Sequence, residues 1–169
     1  TAAAAVAGCS TLAVAGRPAT VAVADAQGVA TLAVAGLAAP GAIRTAPALV
    51  GPLTVVASGE GAGRNAVVAV PGEASDGRLR AALQRGSQGA PVVDATGALA
   101  ALVAGRPDER RAIAGLVAPA AYDLVATPAL AAAVTAAGGT PDATPGEATT
   151  TGRLVSGWSA RVVAVDCRR

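Results

Sequence analysis

The sequence predicts an all-β domain that carries one well-marked helix. Three observations predict it. Short, valine-rich apolar runs recur through the first 118 residues. Each run is bounded by Gly, Pro, Asp or Ser, the punctuation of strands joined by turns. Only one segment, near residues 127–137, joins high helix propensity to start and stop signals. A length of 169 residues fits a single domain with an adequate core.

In chain order the expected strands are 11–15, 20–24, 30–35, 53–57, 66–70, 91–93, 98–104 and 112–117. Gly16-Arg17-Pro18, Pro71-Gly72 and Asp94-Ala95-Thr96-Gly97 are among the breaks between them. Alanine is a poor strand former, and here the Val spacing and the turns outweigh it. Thr127 is the expected N-cap of the helix, with Pro128 in its first turn and Gly138-Gly139 at its end. A second helix is expected over 76–84, because Leu79 and Leu83 stand four apart. Residues 138–152 have linker composition. A last strand is expected at 161–166.

Composition excludes more chemistry than it suggests. Hydrophobic residues make up 53% of the chain and aromatics 1%, with 48 alanines, so the core is built from Ala, Val and Leu. There is no histidine and no lysine; all 13 basic residues are Arg. Ser–His, Cys–His and Ser–Lys activation of a nucleophile each need a base this chain lacks. A His-based zinc site and a P-loop lysine are absent for the same reason, and two Cys do not make a structural zinc site. No cofactor or metal is expected. A net charge of +2 with one Trp and one Tyr offers no stacking platform for nucleic acid. The longest apolar stretch, 112–137, is broken by Pro119, Asp123 and Pro128, so no membrane span is expected.

Single features have modest readings. Asp94-Ala95-Thr96-Gly97 reads as a β-turn, and Asp108-Glu109-Arg110-Arg111 as a solvated, self-neutralising turn. Asp25 and Asp94 form a conceivable carboxylate pair with no supporting context. Tyr122 and Trp158 read as packing anchors. Val6-Ala7-Gly8-Cys9 has the form of a lipoprotein cleavage site, although no basic or long apolar stretch precedes it.

Residues 86–105, GSQGAPVVDATGALAALVAG, resemble the nucleophile segment of trypsin-like (chymotrypsin-fold) serine proteases, with pattern G-[D/N]-S-G-G-P followed by two strands. Gly86, Gly89 and Pro91 match. Ser87 stands at the Asp/Asn position, Gln88 at the nucleophile, and Ala90 at the second glycine. Upstream, TAAAAV at 1–6 resembles the T-A-A-H-C-V segment with Ala4 at the histidine. Thr31-Leu32-Ala33-Val34 resembles the D-L-A-L segment with Thr31 at the aspartate. The plain alternative is a Gly-rich hairpin loop at 86–90.

The resemblance implies two antiparallel β-barrels of trypsin-like type with a C-terminal helix, over residues 1–137. All three catalytic positions are then replaced, by Ala4, Thr31 and Gln88, which implies a pseudoprotease with no enzymatic activity. The vestigial cleft of such a fold would be lined by Gly86, Ser87, Gln88, Gly89, Ala90 and the following strands. A protein or peptide partner is expected there, in the cell envelope or outside the cell. The alternatives are a structural β module of a larger envelope assembly, a lipoprotein domain, or unrecognised carboxylate chemistry.

The resemblance also speaks to the tail. In the trypsin-like fold, first-barrel strands precede the T-A-A-H segment, and 153–169 resembles what is missing there. The tail is expected to return and fill that place as a strand, as in a circular permutation. That would bring Cys167 beside Cys9 for a disulfide, against the alternative of two unpaired cysteines or a tail that opens a second domain.

Overall fold

The computed structural model describes residues 1–24, 27–37, 42–58, 67–105 and 119–169. The expected strand at 112–117, Asp25, and the charged turn 108–111 lie outside the described residues. Of the described residues 45% are in strands and 16% in helices.

The elements follow the turn pattern. A short helix α1 (Ala3–Val6) leads into β1 (Thr11–Val14), β2 (Arg17–Ala24) and β3 (Ala30–Val34). Then come β4 (Ala42–Arg44), β5 (Pro52–Ser58), β6 (Val67–Ser75), β7 (Arg78–Ala81), β8 (Pro91–Val93) and β9 (Leu99–Val103). The chain continues through β10 (Ala120–Tyr122), β11 (Leu124–Ala126), α2 (Thr127–Ala136), β12 (Thr140–Asp142), α3 (Thr151–Ser159) and β13 (Val165–Arg168).

Seven strands make one nearly closed, barrel-like sheet in the order β10-β7-β6-β5-β8-β9-β11. Its two ends are one residue apart in sequence: only Asp123 separates β10, paired with β7, from β11, paired with β9. The N–H groups of Ala104 and Gly105 both donate to the Asp123 carbonyl at that corner. The run β8-β5-β6-β7 is a Greek key. Leu53, Val55, Leu79, Leu83, Val92 and Val103 fill the core, with Ala57, Ala81 and Ala101 where space is short. Each fully buried Leu or Val contributes about 1.5–3 kcal/mol, so a barrel without aromatic filling still has a substantial core.

Helices cover the outside. α2 lays Ala129 and Leu130 over Leu99, Leu102 and Val125. α3 lays Leu154 over Val56 and Val93. Strand β9 is therefore buried on both sides, which is why it reads as an unbroken apolar run.

Strands β1, β2 and β3 and the tail form a second, open sheet in the order β13-β1-β2-β3. The expected pair of barrels is thus one nearly closed barrel and one open four-stranded sheet among the described residues. The tail does return. β13 runs antiparallel to β1 with Leu12 opposite Cys167, and Cys9 is bridged to Cys167 with Cα atoms 5.3 Å apart.

Four local expectations need correction. The segment 76–84 is not a helix: Asp76 (φ 52°) and Gly77 (φ 72°) make a two-residue hairpin turn, and β7 follows with alternating burial. Asp-Gly at a type I′ turn overrode the helical spacing of the leucines. Thr127 does not cap α2; its hydroxyl donates to the Ala100 carbonyl at 2.7 Å, and Ala126 holds the cap position. The segment 138–152 is not a free linker. β12 pairs with β4 in parallel, the Thr149 N–H donates to Ala95, and α3 starts at Thr151 behind the Thr150 cap. The last strand lies at 165–168 rather than 161–166.

Candidate functional site

The turn at 86–90 leads from the buried Leu83 into β8. It bends through two positive-φ glycines, Gly86 (82°) and Gly89 (80°). A Cβ at Gly89 would collide with the Thr1 hydroxyl, whereas one at Gly86 would meet open space. Glycine is thus required twice, for conformation at both positions and for room at Gly89.

Three N–H groups of this turn are already bonded to carbonyls. Ser87 donates to Gln84 at 3.3 Å, Gly89 to Val103 at 2.7 Å, and Ala90 to Ser87 at 3.1 Å. The Gln88 side chain donates through Nε2 to the Ala104 carbonyl at 3.0 Å. Donors already bonded to carbonyls cannot also receive a developing oxyanion.

The three segments that carry the resemblance do meet in space. Residues 1–3 run antiparallel to 28–30, with Ala3 N–H on Gly28 at 2.7 Å and Ala30 N–H on Thr1 at 2.9 Å. Thr1 in turn lies against Gly89. Of the three residues that the resemblance aligns with a triad, Ala4 is exposed on α1, while Thr31 on β3 and Gln88 are half-buried. A methyl group, a hydroxyl and an amide provide no base.

These segments border a cleft of about 2120 Å³ between the open sheet and the barrel with α2. Gly86, Gln88, Gly89 and Ala90 line it. Ser87 is the exception: its side chain is buried and turned to the other side, beside Gln84 and Arg85. Leu32 and Val34 of β3, Leu99 and Leu102 of β9, and Leu130 and Val134 of α2 are among its apolar lining. Trp158 also reaches the cleft, with its indole N–H on the Gly97 carbonyl at 3.1 Å. Sequence reasoning missed the walls given by β1–β3, α2 and the tail. The alternation of Leu32 and Val34 was the one signal that pointed to them.

The carboxylates lie elsewhere. One Asp94 oxygen accepts from Thr96 N–H, Thr96 hydroxyl and Ala98 N–H, which closes the expected β-turn. Asp123 pairs with Arg78 at 2.9 Å on the surface. Asp142 is half-buried at the end of β12, and hydrogen bonds from the Thr144 side chain and backbone hold its carboxyl below the ordinary range. Among the described residues no three Asp, Glu or Cys gather as a metal site, and no helix is long and apolar enough to cross a membrane. Tyr122 is buried in the barrel core and Trp158 packs between two apolar clusters, so both serve as anchors.

Comparison with known proteins finds no matching family model, no similar curated protein and no similar solved structure.

Proposed function

We propose that this protein is a non-catalytic, trypsin-like binding module that holds a polypeptide segment in the cleft beside Gly86, Gln88, Gly89 and Ala90. One observation carries the reading: the turn that resembles a nucleophile loop borders an open apolar cleft, yet Gln88 stands at the nucleophile position with its side-chain amide bonded to the Ala104 carbonyl, and the Ser87, Gly89 and Ala90 N–H groups are bonded to carbonyls. Such a turn shapes a wall without doing chemistry. The absence of His and Lys points the same way. A cleft that no described residue fills favours binding over a purely structural module. The Cys9–Cys167 bridge fits an oxidising setting, the cell envelope or the outside of the cell.

Two measurements test this. The purified chain should remain unlabelled by a fluorophosphonate probe; labelling of any serine overturns the non-catalytic part. Trp158 is the single tryptophan and lines the cleft, so its emission reports occupancy directly. A panel of synthetic extended peptides should change that emission saturably, and Gln88→Trp/Trp158→Phe, which crowds the cleft, should abolish binding by native gel shift. A panel with no binder sinks the binding reading.

A further inference from the structure

β3 is an outer strand of the open sheet. Its free edge is already in use at one end. Ala30 donates to the Thr1 carbonyl at 2.9 Å and accepts from the Thr1 nitrogen at 3.1 Å, so residues 1–3 lie along 28–30 as a short antiparallel partner. Backbone groups alternate in direction along a strand. Those of Leu32 and Val34 therefore point the same way as those of Ala30. The Val34 carbonyl accepts from Leu37. Among the described residues, the Leu32 N–H and C=O and the Val34 N–H have no backbone partner.

This edge lies on the cleft, and Leu32 and Val34 are only half-buried. The two needs of the site restrict its occupant. The walls are mostly apolar, with Arg161, Asp166 and Arg168 contributed by the tail, so the occupant must offer aliphatic surface. The edge has unpaired donors and an acceptor, so the occupant must also offer backbone groups. An acyl chain meets only the first need. A helix bonds its own backbone and meets only the first as well. An extended peptide meets both.

We propose that an extended peptide with aliphatic residues at alternate positions adds to β3 as a fifth strand. It continues the antiparallel line that residues 1–3 begin, pairs with Leu32 and Val34, and turns its aliphatic face toward Leu130 and Val134. This names the partner class for the cleft and rests on the reading of that cleft as a polypeptide site.

The test uses the full, oxidised chain and the acetylated, amidated hexapeptide Val-Thr-Val-Thr-Val-Thr. Two companions carry N-methyl groups on all valines or on all threonines. The N–H groups of a strand alternate between its edges, so each companion blocks one edge only. The parent peptide is expected to quench or shift Trp158 emission saturably and to protect the Leu32 and Val34 amides from exchange. One companion should bind about tenfold more weakly than the other, because its N-methyl groups remove the hydrogen bond to the Leu32 carbonyl and crowd the edge. Equal binding of both companions overturns strand addition while the cleft reading stands. Binding by polar panel peptides but not by the hexapeptide overturns the aliphatic assignment alone. Tighter binding of dodecanoate than of any peptide assigns the cleft to a small amphiphile and overturns the proposal. No peptide binding at all overturns the proposal together with the reading beneath it.

Discussion

At the scale of single residues, the cleft depends on glycine geometry rather than on reactive groups. Gly86 and Gly89 share a left-handed backbone, but only Gly89 has the Thr1 hydroxyl in the place of a Cβ. Gly86→Ala is expected to cost about 1 kcal/mol, the penalty for alanine in that conformation. Gly89→Ala should cost roughly 2 kcal/mol more, because the strand segment at Thr1 must move. Urea unfolding of the two variants side by side checks this. Equal losses would show that Thr1 does not lie against the turn. The glycines were legible in the sequence as a tight turn. The position of Thr1 was not, since nothing local ties residue 1 to residue 89.

At the scale of elements, the strands were legible wherever valine runs met Gly or Pro breaks, as at β1, β5 and β9. They were illegible where a run was short or its residues small, as at β4, β10 and β11. The segment 76–84 shows how a local signal can be weighed wrongly. Leu79 and Leu83 suggested a helix face, yet Asp76-Gly77 had the chemistry of a two-residue hairpin. In the strand, Leu79 is fully buried against Gly72 while Arg80 faces solvent. Leu79→Ala is therefore expected to destabilise by about 2–5 kcal/mol. Arg80→Ala should stay within roughly 0.5 kcal/mol. Thermal unfolding of both variants measures the contrast, and similar losses at the two positions would contradict the alternating burial. The cap at Thr127 failed for a related reason. Its hydroxyl found the Ala100 carbonyl on β9, a partner that local reading cannot supply. The Gly138-Gly139 end succeeded because its bonds are local: Gly138 N–H to Thr135 and Gly139 N–H to Val134 close the helix without outside help.

At the scale of the whole molecule, the tail is what ties the open sheet together. β13 pairs with β1, and the Cys9–Cys167 bridge fastens that pair across a sequence separation of 158 residues. Closing so long a loop stabilises by up to roughly 5 kcal/mol in the chain-entropy model. The barrel core contains neither cysteine nor any residue of β13, so the two halves should respond unequally when the bridge is removed. The double variant Cys9→Ala/Cys167→Ala is expected to unfold at lower temperature than the oxidised protein. In native-state hydrogen exchange its β1 and β13 amides should lose most of their protection, while those of β8 and β9 keep theirs. The cleft would lose a wall at the same time, because residues 162–168 line it. A variant whose barrel amides loosen as much as its tail would show that the two sheets fold as one cooperative unit. Free thiols at both positions in the denatured, unreduced protein would remove the bridge altogether, and with it the reason for the tail to stay beside β1.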